Sequence, residues 1–282
     1  MKQIVILSGK GGTGKTVISA ALAALAPNKV MVDCDVDAAD LHLLLHPQIR
    51  ERREFRSELT AVIDEKLCVK CRKCILACRF GAISDDFKVK DVSCEGCGLC
   101  GHICPYGAVR MEENLSGEWF ISDTRYGPFV HARLGVAQEN SGKLVAKIKE
   151  AAKEIAEARS LDYMIVDGPP GIGCPVIASL SGVDLALIVT EPTLSGLHDA
   201  QRVAEAAGHF KVPVCLVVNK YDLNQAMTEK IGSFCKERGI PLIGGIAFDK
   251  AVVEALVAGK TVVEGPPSQA ADEIMKIWQR LK

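Results

Sequence analysis

Short, largely apolar runs alternate along this chain with longer stretches in which apolar residues return every three or four positions. The runs at 4–7, 29–34, 163–167, 185–190 and 214–219 have the length of strands, and their apolar character predicts burial on both faces. A further strand is expected at 242–248. Residues 17–25, 195–207, 250–258 and 268–281 repeat at helical spacing, as does an Ala- and Lys-rich stretch ending near 159. Glu139 leads into that last helix, with Asn140 or Ser141 as its expected N-cap. Strand and helix in alternation predict an α/β fold, a doubly wound, mainly parallel sheet.

The alternation breaks near Arg50. Residues 51–54 (Glu-Arg-Arg-Glu) are a mixed charge run, read as a solvated connection. Two cysteine runs follow, Cys68-x-x-Cys71-x-x-Cys74-x-x-x-Cys78 and Cys94-x-x-Cys97-x-x-Cys100-x-x-x-Cys104-Pro105. They form an internal repeat offset by 26 residues, and Gly81-Ala82-Ile83 recurs as Gly107-Ala108-Val109. Strands at 118–122 and 129–134 carry the chain back to the first pattern. The expected organisation is therefore 1–57 and 113–282 as two parts of one domain, with 58–112 inserted between them.

Composition narrows the chemistry of that insert. The chain begins directly in a strand, with no leader pattern and no apolar run of spanning length, so a cytoplasmic location is expected. Twelve cysteines in a reducing compartment point to metal rather than to disulfides. A net charge of −1 and 5% aromatics give no reason to expect nucleic acid or an anionic membrane as partner. The final helix places Ile274, Ile277, Trp278 and Leu281 on one stripe, which reads as core packing rather than as a membrane anchor.

The cysteine spacing matches the bacterial two-cluster ferredoxin pattern, in which the fourth cysteine of each run ligates the other cluster. The expected insert is a small α+β ferredoxin-like domain holding two [4Fe–4S] clusters. One set is Cys68, Cys71, Cys74 and Cys104; the other is Cys94, Cys97, Cys100 and Cys78. Arg79 replaces the proline that follows the second run. The alternative, a pair of zinc sites, asks for paired C-x-x-C units at wider separation.

A second motif lies at the end of the first strand. Gly9, Lys10, Gly11, Gly12, Thr13, Gly14, Lys15 and Thr16 fit G-x-x-x-x-G-K-[ST], with a strand before and a helix after. Such a loop turns its N–H groups toward phosphate, with Lys15 reaching the β- and γ-phosphates and Thr16 offering its hydroxyl to Mg²⁺. Asp167 ends the strand at 163–167, as a Mg²⁺-holding carboxylate does, and Gly168-Pro169-Pro170-Gly171 follows.

With Lys10, the loop resembles the deviant P-loop of the MinD/Mrp superfamily, which includes the nitrogenase iron protein. That resemblance covers essentially the whole chain and implies a P-loop NTPase that dimerises with ATP and Mg²⁺ between subunits. It also implies that Lys10 acts on the partner's phosphates. Asp35, in Asp33-x-Asp35 ahead of Asp37 and Asp40, matches the aspartate that orients the attacking water; helix capping is the plainer role for its neighbours. Gly168 matches the γ-phosphate sensor. Asn219, in Asn219-Lys220-Tyr221-Asp222, matches an adenine contact, although N-K-x-D is also the guanine-reading motif. Cys174 stands where the nitrogenase iron protein places a cluster-bridging cysteine; without a recognisable companion it reads as a small buried thiol.

The function expected on this basis is that of an ATP-hydrolysing dimeric switch coupled to two clusters, acting in iron–sulfur or metal-cofactor assembly. ATP-gated electron donation to a partner reductase, or a MinD-like positioning role with redox-sensing clusters, are the alternatives. The expected partners are a second copy or a paralogous ATPase and a redox or iron–sulfur protein.

Overall fold

A computed structural model describes residues 1–135 and 141–282. The expected cap at Asn140, and Glu139 beside it, lie outside the described residues. In chain order the elements are β1 Lys2–Ser8, α1 Lys15–Leu25, β2 Lys29–Asp33, α2 His42–Leu45, β3 Gln48–Ile63, α3 Lys73–Ala77, α4 Leu99–His102, β4 Val109–Thr124, β5 Gly127–Leu134 and α5 Ser141–Ala158. Then follow β6 Tyr163–Pro170, α6 Cys174–Leu180, β7 Leu185–Thr190, α7 Leu194–His209, β8 Val214–Asn219, α8 Gln225–Arg238, β9 Leu242–Ile246, α9 Lys250–Val257 and α10 Gln269–Leu281. The chain forms two compact units, Met1–Arg52 with Trp119–Arg133 and Ser141–Lys282, and Arg53–Glu118 with Leu134–Asn140.

In the first unit β1, with Ile4 to Leu7 fully buried, pairs in parallel with β6 on one side and β7 on the other. β2 pairs in parallel with β5 and β6, and β7, β8 and β9 continue the parallel set. The strand order is β3-β4-β5-β2-β6-β1-β7-β8-β9. This is the α/β, mainly parallel sheet that the apolar runs predict. Parallel strands leave their carboxyl ends on one edge, so the chain after β1, β2 and β6 gathers there. α1 lies under that edge with Ile18, Leu22 and Ala23 in the core.

The stripe on α10 joins the same core. Ile274, Ile277, Trp278 and Leu281 are all buried, and Trp278 meets Tyr163 edge-on at 5.3 Å. The stripe is core packing, as its spacing predicts. No helix among the described residues is long and apolar enough to cross one.

The charge run at 51–54 is a correction to the expected connection. These residues lie inside β3, at the end of the sheet order. A strand at that position tolerates charge on its faces, and charge there discourages pairing with other chains.

The second unit is small. Its buried apolar residues include Ala61, Cys74, Ala82, Ile83, Ala108 and Val109, far fewer than in the first unit. Two short helices, α3 and α4, begin at equivalent points of the two cysteine runs, 26 residues apart. An isolated antiparallel bridge joins Ile83 to Val89.

Candidate functional site

β1 ends at Ser8, and the chain turns through Gly9 to Gly14 into α1. Gly11 and Gly12 are exposed, whereas Thr13 and Lys15 are buried. Gly14 caps α1 with φ +89°, and a Cβ there would stand 2.3 Å from the side-chain nitrogen of Asn219. That nitrogen donates to the Thr13 carbonyl at 2.8 Å. Asn219 thus braces the loop from the end of β8, while Asp222 accepts from the Phe248 N–H at 2.7 Å. Gly9 sits against α7, where a Cβ would overlap Asp199.

The helix start brings Lys15 onto acidic strand ends. Its ammonium lies 2.9 Å from Asp167 Oδ1 and 3.6 Å from Asp35 Oδ2. Burial alone would lower the Lys15 pKa, but Asp167 and Asp35 outweigh it and hold the pKa above the ordinary lysine value. Thr16 follows, half-buried, its hydroxyl 3.5 Å from the Lys15 nitrogen. For Asp35, burial raises the carboxyl pKa while Lys15 opposes the rise.

Two residues complete this cluster: Asp33, for which helix capping is the plainer expectation, and Ser19, to which sequence reasoning assigned no role. Asp33 lies opposite Asp167 in the β2–β6 register and is fully buried, accepting from the Asp35 N–H at 3.1 Å and the Leu41 N–H at 3.3 Å. Burial, and then the Asp167 charge, push its pKa well above the usual carboxylate range. Ser19, one turn beyond Lys15, donates to Asp167 Oδ1 at 2.8 Å. Its i+4 spacing from Lys15 was the available signal. With Oδ1 taking both bonds, Asp167 Oδ2 is buried without a partner among the described residues, and so is the Thr13 hydroxyl. Orphaned oxygens of this kind, beside a glycine loop and a helix start, fit a hydrated divalent cation and a phosphate chain.

Lys10 lies apart from that cluster. Its nitrogen is 3.3 Å from Ser195 Oγ and 3.7 Å from Glu191, which also binds Lys220 at 2.6 Å. Gly168 is inside β6, where a Cβ would come within 2.8 Å of the Ile6 carbonyl, so no larger residue fits. Cys174 is exposed at the start of α6, a correction to its reading as a buried thiol; the helix turns its buried face through Val176, Ser179 and Leu180 instead. Cys34, Cys215 and Cys235 are core residues as expected.

The second unit sorts its eight cysteines into two hollows. One, of about 230 Å³, is lined by Cys94, Cys97 and Cys100 together with Cys78. The other, of about 20 Å³, is lined by Cys68, Cys71 and Cys74 together with Cys104. Burial raises the thiol pKa of Cys74 and of Cys100. Among the described residues, no group of three or more His, Cys, Asp or Glu is arranged to hold a metal ion.

Comparison with known proteins places the chain in a family. An uncharacterised protein of Methanocaldococcus jannaschii is 35% identical over 285 residues, covering 99% of this chain and 96% of its own. A second protein of that organism is 27% identical over 271 residues, covering 94% and 92%. The septum site-determining protein MinD of Bacillus subtilis is 26% identical, covering 99% of this chain and 88% of its own. Among solved structures, MinD of Pyrococcus horikoshii complexed with Mg-ADP superposes with a TM-score of 0.59 at 19% identity, covering 100% and 96%. The fold is that of a MinD-type P-loop NTPase. The model of the CobQ/CobB/MinD/ParA nucleotide binding domain matches residues 4–262, and the chain belongs to that family.

Proposed function

We propose that this protein is an ATP-binding and ATP-hydrolysing dimeric switch whose second unit carries two [4Fe–4S] clusters, acting in iron–sulfur or metal-cofactor assembly. The observation that carries the reading is the division of the eight cysteines. Each hollow takes three cysteines from one run and the fourth from the other, the crossed arrangement that two tandem C-x₂-C-x₂-C-x₃-C runs require of a two-cluster site. At about 20 Å³ the hollow of Cys68, Cys71, Cys74 and Cys104 is smaller than a cluster, so its walls would have to move apart to hold one. When bound, the clusters supply one-electron chemistry at low potential.

In the first unit, Asp167 and Thr16 would hold Mg²⁺, with Ser19 fixing the carboxylate so that Oδ2 faces the ion. Lys15 would leave Asp167 for the phosphates, the N–H groups of residues 9–14 would cradle them, and Asp35 would orient the attacking water. Lys10 would exchange Glu191 and Ser195 for a partner subunit's nucleotide, in a homodimer or in a heterodimer with a paralogous ATPase. The occurrence of two relatives in M. jannaschii supports either. The complete four-cysteine set at each hollow favours electron donation as the second reading, since no ligand position is left open for handing a cluster on.

The test is anaerobic purification with iron and acid-labile sulfide counted, followed by Mg²⁺-dependent ATP hydrolysis and potentiometry with and without ATP. About eight iron per chain is expected. Lys15→Ala should lower hydrolysis by about a hundredfold or more while leaving the iron count unchanged. Transfer of iron and sulfide to an apo-protein supports assembly. Retention, with a nucleotide-dependent shift of about 60 mV, supports electron donation. Two zinc and no iron would overturn the cluster assignment.

A further inference from the structure

The two cysteine runs repeat in backbone but not in charge. Lys70 and Gly96 occupy equivalent turn positions with φ +59° and +60°, and Arg72 and Gly98 cap α3 and α4 with φ +65° and +74°. At both positions the first run places a long cationic side chain in the left-handed region, where the second uses glycine. A non-glycine residue there costs of order 1 kcal/mol, a strain retained where the side chain has a use. The substitution extends further: Lys66, Lys73 and Arg79 correspond to Val92, Leu99 and Pro105. All five cations of the first run are uncharged in the second.

Arg79 lines the other hollow, and the remaining four cations belong to the 66–73 stretch. Lys66, Lys70, Arg72 and Lys73 are exposed around the Cys68, Cys71, Cys74 and Cys104 set, and Arg72 and Lys73 line its hollow. Arg72 is paired with Asp85 at 2.5 Å. Lys66, Lys70 and Lys73 have no carboxylate partner among the described residues. Between them Leu67, Val69 and Tyr106 stand 51%, 56% and 52% exposed. An apolar centre with a rim in which cations outnumber carboxylates, Lys66, Lys70, Arg72 and Lys73 against Glu65 and Asp85, is the make-up of a protein-docking patch, in which the rim steers and the centre is buried. The rim of the other hollow carries Glu95 against Arg79 and has no such excess.

We propose that this face, over the Cys68/Cys71/Cys74/Cys104 hollow, docks an acidic protein partner. The proposal rests on the cluster reading for its redox purpose, and it makes this set, rather than the other, the one through which the partner is served. A nucleic acid is disfavoured because the patch exposes Tyr106 beside a protruding aliphatic centre, with Phe87 only half-exposed, which suits a protein surface better than stacked bases.

The test uses the full chain, with iron and sulfide counted first, and a flavodoxin as the acidic probe. Flavodoxin should bind at about 20 mM salt and weaken about tenfold or more by about 200 mM. Replacing the three unpaired lysines together (Lys66→Gln, Lys70→Gly, Lys73→Gln) should weaken binding about tenfold at low salt without changing the iron count. The control Lys143→Gln, Lys147→Gln, Lys153→Gln removes the same charge from exposed positions on α5 and should leave binding unchanged. Equal losses in both triple variants would reduce the effect to net charge and overturn the proposal. So would unchanged flavodoxin binding in the first variant, or a loss confined to a DNA duplex or to anionic vesicles. A chain that takes up no iron fails the cluster reading, while the flavodoxin titration still decides the surface.

Discussion

At the P-loop, the acidic and basic groups come from the ends of strands that are themselves core. Asp33 and Asp167 sit opposite each other in a parallel register, and Lys15 is held by the helix that the core clamps. The cysteines, by contrast, come from turns around two short helices, over a handful of buried apolar residues. In the first region the protein core positions the chemistry, and Lys15 holds the acidic strand ends together without a ligand. In the second the donors are backed by few buried residues, so the proposed clusters would have to complete the fold.

The largest effect that could break this contrast is on the stability of the second unit. Removing iron with a chelator should strip hydrogen-exchange protection from amides in 66–105 by at least about a hundredfold, roughly 3 kcal/mol. Amides of β1, β6 and β7 should keep theirs. Equal protection before and after would mean that the cysteine unit folds on its own core. The same sample sharpens the ligand sets: Cys78→Ala should resemble Cys97→Ala, rather than Cys71→Ala, in the iron signal it loses.

What could be read from the residues alone follows the same division. The P-loop and the cysteine runs are contiguous motifs, so their residue types and spacing are visible without a fold. Asp33 was read as a capping residue, and Ser19 was assigned no role, because the importance of both lies in contact with Asp167, more than a hundred residues away. Residues 51–54 were misread because charge on a strand at the end of a sheet looks, in one dimension, like charge in a loop. Cys174 was misread because a small apolar-looking residue near a buried strand gives no sign of which way a short helix will turn. For Asn219, the family motif points to the base, whereas the structure engages its amide with the backbone of the phosphate loop.

A smaller effect tests whether the first unit's core carries its own polar groups without help. His131 on β5 is buried against Phe129 and Phe120, with ring centroids 4.6 and 4.9 Å away, and its Nε2 is 3.3 Å from Ser122 Oγ. His42 stacks on it at 6.3 Å. Burial, and then His42, bring the His131 pKa down from 6.5 to about 4. Above pH 6.5 the folded and unfolded chains both hold a neutral imidazole; between 6.5 and about 4 only the unfolded chain takes up the proton. The unfolded state therefore gains protons first, and stability falls with pH by up to about 3 kcal/mol. Denaturant midpoints for the first unit at pH 7 and pH 5 should separate in the wild type and converge in His131→Phe. Parallel pH profiles would show that the ring does not carry the effect.

The smallest effect compares the two turns directly. Lys70→Gly removes a side chain from a left-handed position, so it should raise the unfolding free energy of the iron-loaded second unit, or leave it unchanged, within about 1 kcal/mol. The reverse substitution in the companion turn should behave differently. A Cβ at Gly96 would stand 2.4 Å from the Leu59 carbonyl, so Gly96→Lys must push β3 away from the turn as well as strain the backbone. It should cost more than about 2 kcal/mol and lower the iron bound at the Cys94, Cys97, Cys100 and Cys78 set. If the two substitutions gave equal and opposite changes, the turns would be interchangeable, and Lys70 would be a neutral variant of the repeat. If Gly96→Lys is costly and Lys70→Gly is not, the first turn has room for glycine and keeps its lysine at a small expense, which only something outside the fold can explain.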